Sequence, residues 1–353
     1  MEQSKQNLLE MIDRPAFVVR NGIITDYNQM AKNRQIPMGA SIDKLMPEDC
    51  DAYRAYRGGV LYLTLQIGWI QCGATVIRQE DADIFLLDRD ADQTQLQALA
   101  LAGQQLRMPL SDVMTVTDCL LPELQEDSQK EKAVQLRKAL FRLMRLISNM
   151  ADAERYTGLE APSYENTELC SFFREIIQKA EASLENANVT LRYSCPDSRI
   201  FTMVDRERME RAVYNLLSNA VKFSAPGGAV EITLSRSGKM ACLTVEDHGD
   251  GIDSHVQGTL FHRYMREPAI EDSRYGLGLG MTLIRSVASA HAGTVLLEQT
   301  GGTRVTMTMA IRKQVPGTLR SPALRIGDYA GGRDLGLLEF SEILPLSSYE
   351  KDI

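Results

Sequence analysis

The feature that most limits how this chain can fold is a repeat of apolar and small residues between positions 91 and 155. The repeat alternates spacings of three and four: Leu96, Leu99, Gly103, Leu106, Leu110, Val113, Thr117, Leu120 and Leu124. This spacing is typical of one side of a helix packed in a bundle. After a polar break at 125–129, Val134 to Ile147 predict a second, antiparallel helix. Because two such helices cannot bury both apolar faces alone, we expect a dimeric four-helix bundle, although a structural coiled coil would show the same repeat.

Residues 1–90 predict a small sheet with short helices. The segments AFVVR and IITDY flank Asn21-Gly22, a pair that supplies the positive φ angles of a tight hairpin turn. Longer strand-like segments follow, ending with ATVIRQEDADIFLLD. This arrangement resembles a PAS sensor domain, and a plain αβ dimerisation module fits the same pattern.

Residues 156–313 interleave helical and strand-like segments. DRERMERAVYNLLSNAVKF predicts a helix with Asp205 as its N-cap, and several strands are joined as hairpins. The pattern predicts an α+β two-layer sandwich with a mixed sheet, so the whole chain is multidomain α+β. Residues 314–353 predict a linker followed by an amphipathic docking segment, LGLLEFSEILPL.

Composition excludes several classes of function. A net charge of −8 disfavours a nucleic-acid-binding role, which needs a basic face. The sequence contains no run of about 20 apolar residues that would span a membrane, and its start lacks a signal-peptide core, which predicts a cytoplasmic protein. The six scattered cysteines predict reduced, buried thiols, without zinc or a disulfide framework.

The block NLLSNAVKF places three polar side chains on one helical face. Asn215 and Asn219 are four residues apart, and Lys222 follows nearly one turn later. Two carboxamide oxygens beside an ammonium group suit a Mg²⁺-bound phosphate. A helix with a solvated polar stripe would carry the same residues.

Two further blocks suggest a nucleotide. VEDHGDGI ends an apolar strand with Asp247, followed by Gly249, Gly251 and Ile252. A carboxylate there can accept from an exocyclic amine, and glycines let a flat ring approach the backbone. An ordinary acidic turn has the same composition.

YGLGLGMTLI opens a helix with three glycines, whose amides and helix end can bind an anion: Gly276, Gly278 and Gly280. In TGGTRVTMTM, paired glycines and Thr303 close a hairpin.

Taken in order, these blocks and LFHRYMRE at 260–267 resemble the GHKL (Bergerat) ATP-binding domain of two-component sensor histidine kinases. The resemblance spans roughly residues 165–311. It implies ATP and Mg²⁺ as cofactors, with Asn219 as the main Mg²⁺ ligand and Asn215 beside it. It further implies contacts to phosphates or adenine for these residues: Lys222, Phe223, Asp247, Gly249, Gly251, Ile252, Arg263 or Arg266, Gly276, Gly278, Gly280 and Thr303.

The resemblance extends to LRMPL at 106–110, where the kinases carry a phosphate-accepting histidine and a neighbouring acid just ahead. In this chain those positions are Gln104 and Gln105, and Met108 replaces a small polar residue. A carboxamide nitrogen is a negligible nucleophile, and Gln105 cannot hold a proton as an acid would.

Three functions follow as hypotheses. The first is a degenerate sensor kinase, homodimeric or paired with a partner kinase, that binds Mg-ATP without phosphorylating itself. The second is a phosphotransferase that donates to a histidine on a partner protein. The third is an interaction scaffold. A response regulator or a transcription factor is the expected output partner.

Overall fold

The computed structural model describes residues 9–46, 51–79, 81–157, 161–196, 199–225, 227–251, 279–312 and 332–350. Among them, no helix has the length and apolar character needed to cross a membrane.

The N-terminal part is a five-stranded antiparallel sheet with short helices. Its elements are β1 (Ala16–Arg20), β2 (Ile23–Tyr27), α1 (Gln29–Asn33), α2 (Asp51–Ala55), β3 (Val60–Ile67), β4 (Ile70–Gln79) and β5 (Ala82–Leu87). The strands lie in the order β2-β1-β5-β4-β3. Asn21 and Gly22 connect β1 to β2 with φ angles of 50° and 76°, which confirms the predicted hairpin.

Two helices of 31 residues each form the predicted hairpin: α3 (Asp90–Leu120) and α4 (Asp127–Thr157). Helix α3 continues through Pro109. A Cβ on Gly103 would lie 3.0 Å from both Ala151 N and Ile147 O, so the absence of a side chain lets the two helices approach closely here.

The predicted apolar repeat divides into two stripes. Gly103, Leu110 and Thr117 are buried, whereas Leu106, Val113 and Leu120 are each about half exposed. On α4, Leu136 and Leu143 are also exposed. The hairpin therefore keeps a second apolar stripe, with the same seven-residue spacing, on its surface.

The remaining elements build a two-layer α/β unit that confirms the predicted mixed sheet. They are β6 (Glu165–Glu168), α5 (Leu169–Ser183), β7 (Thr190–Ser194), β8 (Phe201–Val204), α6 (Arg206–Phe223), β9 (Ala229–Ser237), β10 (Met240–Glu246), α7 (Leu279–Ala290), β11 (Val295–Gln299), β12 (Thr303–Ala310) and α8 (Leu335–Glu339). Strand β7 pairs with β9 in parallel, and β9, β10, β12 and β11 pair antiparallel in that order. Asp205 caps α6 by accepting from Arg208 N, as predicted.

A feature that the sequence did not predict is the union of the two sheets. Strand β3 pairs antiparallel with β11, which gives one ten-stranded sheet across the N-terminal and C-terminal parts. Beside this junction, the Arg285 guanidinium lies 4.2 Å from the Tyr62 ring centroid and 3.3 Å from an Asp88 oxygen. Thr64 and Ser289 share a hydrogen bond of 3.0 Å.

The cysteine prediction is wrong at one pair. Cys170, in the first turn of α5, is disulfide-bonded to Cys195, just after β7. Their Cα atoms lie 6.1 Å apart although 25 residues separate them in sequence. The pairing depends on how α5 packs beside β7, which cysteine spacing alone does not reveal. Among the described cysteines, Cys72, Cys119 and Cys242 are not disulfide-bonded.

Candidate nucleotide-binding site

Helix α6 presents the two predicted amides at its C-terminal half. Asn215 is 1% exposed, and its Nδ2 donates to Arg211 O at 2.9 Å. Asn219 is partly buried, with its Nδ2 4.0 Å from Met281 Sδ. Within the described part of the chain, no donor reaches Asn219 Oδ1. Because a hard cation prefers oxygen ligands, this oxygen suits Mg²⁺.

The start of α7 lies directly on this face of α6. A Cβ on Gly280 would be 2.8 Å from Asn215 Oδ1, so only glycine allows this approach without a shift. The structure therefore brings together two residues that the sequence assigned to one site from separate blocks.

The Asp247 carboxylate is held by backbone groups. Asp247 is 4% exposed, and its Oδ1 accepts from Gly249 N at 3.0 Å and from Thr303 N at 3.2 Å. Among the described residues, no donor reaches Oδ2. Burial raises the pKa of Asp247 above its ordinary value, although the two backbone N–H groups and His248 act in the opposite direction. The result is a fixed carboxylate with one oxygen left to accept from a ligand.

Two glycine contacts tie Asp247 to the other blocks. A Cβ on Gly249 would lie 1.8 Å from Phe223 O, at the end of α6. A Cβ on Gly302 would lie 2.1 Å from Asp247 O. Since Asn219 is about one turn before Phe223, the amide and the carboxylate belong to the same end of α6.

Gly251, in the loop after Asp247, has a φ of 75°, a backbone conformation that favours glycine. Five predicted site residues lie outside the described residues: Ile252, Arg263, Arg266, Gly276 and Gly278.

Lys222 makes a contact that sequence reasoning missed. Its Nζ is hydrogen-bonded to Glu342, from the segment after α8, and lies 6.0 Å from the Phe223 ring centroid. Glu339, the last residue of α8, contacts Arg211 on α6. The only sequence signal for this contact was the amphipathic pattern, with two acids three residues apart.

The positions that match the kinases' phosphoacceptor region lie on the surface of α3. Gln104 and Gln105 are exposed, and Met108 is 69% exposed. His291 has a structural role, since it is buried and its Nε2 accepts from Asp205 N.

Comparison with known proteins identifies an ATPase family over the part of the chain that carries most of these residues. Residues 204–313 match the family described as histidine kinase-, DNA gyrase B- and HSP90-like ATPase. The sensor-like histidine kinase SenX3 of Mycobacterium tuberculosis is 26% identical in an alignment 273 positions long that covers 71% of this chain and 66% of SenX3. The alginate biosynthesis sensor protein KinB of Pseudomonas aeruginosa is 23% identical over 79% of this chain and 47% of KinB.

The chain thus spans less than two thirds of the length of these relatives. Among solved structures, full-length ShkA in complex with AMPPNP has a TM-score of 0.52 at 18% identity, covering 62% of this chain and 47% of ShkA. At this identity, the likeness to ShkA concerns the fold alone. Residues 204–313 thus belong to a GHKL-type ATPase domain, and the kinase relatives support a likeness of the chain to the two-component sensor histidine kinase family.

Proposed function

We propose that this protein is a degenerate sensor kinase that binds Mg-ATP at the Asp247 end of α6 and signals through conformational change. The observation that carries the proposal is the Asp247 carboxylate, which is buried and fixed through Oδ1 by two backbone N–H groups. Its second oxygen is suited to accept from the adenine amino group. Asn219 is the proposed main Mg²⁺ ligand, Asn215 lies beside it, and Lys222 would serve the phosphates.

The proposed lack of self-phosphorylation rests on Gln104 and Gln105. Both lie on the exposed side of α3, at the positions of the family's histidine and acid. Neither amide can attack phosphorus or take up the proton. Asn215 also stands where the gyrase and chaperone relatives of this ATPase family carry a water-activating glutamate, so efficient ATP hydrolysis is not expected.

The exposed stripe on the hairpin supports a homodimer or a pairing with another kinase. Leu106, Val113 and Leu120 repeat every seven residues on α3, and Leu136 and Leu143 have the same spacing on α4. Burying such a stripe against a second hairpin would complete a four-helix bundle. The continuous sheet gives the N-terminal domain a direct contact with the proposed ATP-binding domain, through which a sensed signal would alter ATP affinity.

The first test is calorimetric titration with Mg-ATP. Asp247→Asn should weaken binding by about 10- to 100-fold, because losing a hydrogen bond to a charged group costs about 1.5–3 kcal/mol. If the new amide keeps its oxygen on the two backbone donors, its NH₂ faces the adenine amine. Asp250→Asn, an exposed neighbour of equal charge, is the matched control. Equal affinity of Asp247→Asn and wild type would refute the site.

The second test is labelling with γ-³²P-ATP. The wild-type chain should stay unlabelled, and Gln104→His should also stay unlabelled because Gln105 still occupies the acid position. Label on a histidine of an added partner protein would instead support the phosphotransferase hypothesis. Strong self-labelling by the wild-type chain would exclude the degenerate kinase.

A further inference from the structure

The C-terminal segment 332–350 is packed into the core between α4 and α6. Its most buried apolar residues are at most 1% exposed: Leu338, Phe340, Leu344 and Tyr349. The Phe340 ring lies 5.9 Å from that of Tyr214 on α6, and Tyr349 lies 5.3 Å from Phe141 on α4. Helix α4 also donates to the backbone of this segment, through Arg137 to Tyr349 O.

The segment is anchored by a buried carboxylate. Glu339 is fully buried and bonds to the Arg211 guanidinium, with Arg145 Nε 3.3 Å from its other oxygen. Ser218 Oγ donates to Glu339 O at 3.2 Å. Because Glu339 is held in place, the position of Glu342, three residues later in the chain, is restricted as well.

One turn later, Glu342 meets the proposed nucleotide site. Its carboxylate bonds to Lys222 Nζ, and Arg145 lies 3.5 Å away. Burial raises the pKa of Glu342, but the bond from Lys222 and the charges of Arg145 and Arg142 outweigh it, and the net result is a lowered pKa. Lys222 is 14% exposed, so little of its surface faces water.

Lys222 belongs both to the face of α6 that contacts the C-terminal segment and to the proposed nucleotide face of the same helix. Arg211, Ser218 and Lys222 contact the C-terminal segment. Asn215, Asn219 and Lys222 form the proposed nucleotide face, at helical spacings of four and three. An anion arriving at Lys222 therefore meets an ammonium group that a carboxylate of the same chain has already neutralised.

We propose that segment 332–350 is an internal competitor of nucleotide, in which Glu342 occupies Lys222 and ATP must displace this contact to bind. The inference rests on the proposed ATP site. The carboxylate stands where a phosphate group would, and its negative charge opposes that of the triphosphate. By linkage, a change that releases the segment raises ATP affinity, and ATP in turn loosens the segment.

The test is a set of Mg-ATP affinities measured on full-length chains. Glu342→Gln should bind about fivefold more tightly than wild type, the size expected for an ion pair of this exposure. Glu350→Gln, an exposed acid of the same segment, should leave affinity unchanged. In a Lys222→Gln background, Glu342→Gln should change affinity by less than about twofold, because the contested ammonium is gone.

The competition is overturned if Glu342→Gln binds Mg-ATP with wild-type affinity, or if Glu342→Gln raises the affinity equally in the Lys222→Gln background. The proposed ATP site is tested separately by Asp247→Asn. No ATP binding by any variant rejects both proposals.

A second readout uses the wild-type chain. The amides of Ile343 and Leu344, which donate to Phe340 O at 2.8 and 2.9 Å, should exchange hydrogen faster when ATP is added. Slower exchange on addition of ATP contradicts the proposal.

Discussion

Glu339→Gln tests the buried cluster of charges around Glu339 and Arg211, which is the most deeply buried one among the described residues. Glu339 and Arg211 are both fully buried and bonded to each other. The substitution removes the acid's charge but keeps its size, so the effect reports electrostatics rather than a cavity. In the variant, Arg211 keeps its ion pair with Asp152, in which Arg211 Nη2 lies 2.7 Å from the carboxylate. Arg145 keeps its ion pair with Glu342 at 3.5 Å.

The expected cost follows from these remaining contacts. Breaking one partner out of a buried ion pair costs about 3–5 kcal/mol. Because each guanidinium keeps one carboxylate, we expect the lower end, about 3 kcal/mol. For a cooperative unit of about 150–250 residues, 1 kcal/mol corresponds to about 2–4 °C in the melting midpoint, which gives a decrease of about 6–12 °C.

Thermal unfolding followed by calorimetry, with Glu350→Gln as the exposed control, measures this cost. The control should change the free energy of unfolding by no more than about 0.5 kcal/mol. Amide exchange of Leu338 and Phe340 then shows whether the loss is global or is limited to release of the segment. A decrease below 1 kcal/mol with unchanged exchange would refute the buried network.

A double variant adds a check on the mechanism. Arg145→Met with Glu339→Gln should cost less than the sum of the two single substitutions, because the cation deprived of its acid is removed as well. Strict additivity would mean that these two groups do not interact.

Three further predictions concern other parts of the fold. Ala292, just past α7, has a φ of 51°, which strains a residue with a side chain, so Ala292→Gly should raise the free energy of unfolding by about 0.5–1 kcal/mol. The control Ala288→Gly, inside α7, should lower the free energy of unfolding by about 1 kcal/mol or more. Urea titration measures both changes. Val113→Glu, on the exposed stripe, should convert a dimer to a monomer in light scattering, and an unchanged mass would argue against that face. Burial lowers the pKa of His291, whose Nε2 accepts from Asp205 N. Since the unfolded chain takes up this proton near pH 6.5, the His291 contribution to stability is present above that pH and is lost as pH falls below it; His291→Gln should show a smaller loss between pH 7.5 and 5.5.

The features that the sequence predicted well are local. Asn21-Gly22 specifies a hairpin because two adjacent residues must adopt positive φ. Asp205 begins α6 because its side chain satisfies an amide three residues later. The three–four repeat predicted both long helices. It could not say which of two neighbouring stripes, the one with Leu110 or the one with Val113, would be buried, because both have the same period.

The features that were missed join segments far apart in the chain. Nothing local in β3 specifies β11 as its partner, because an unpaired strand edge offers the same backbone groups to any neighbour. The Cys170–Cys195 bond and the Glu339–Arg211 pair likewise depend on how helices and strands pack. The candidate site stays a prediction, but its blocks could be recognised in the sequence because each carries a local geometric requirement, such as the absence of a side chain at Gly280.

The buried contacts of Arg211 give the proposed conformational signal a physical route that needs no imidazole. On α4, Asp152 and Asn149 accept from this guanidinium at 2.8 and 2.9 Å, and α8 contributes Glu339. Arg211 O also holds the Asn215 amide on the nucleotide face of the same helix. A shift of α6 on binding Mg-ATP therefore cannot leave the helical hairpin and the C-terminal segment undisturbed, because moving a buried guanidinium away from its acids is strongly unfavourable. The helical hairpin is thus mechanically connected to the proposed nucleotide site, and under the proposed function this connection would carry information without phosphorylation of the hairpin.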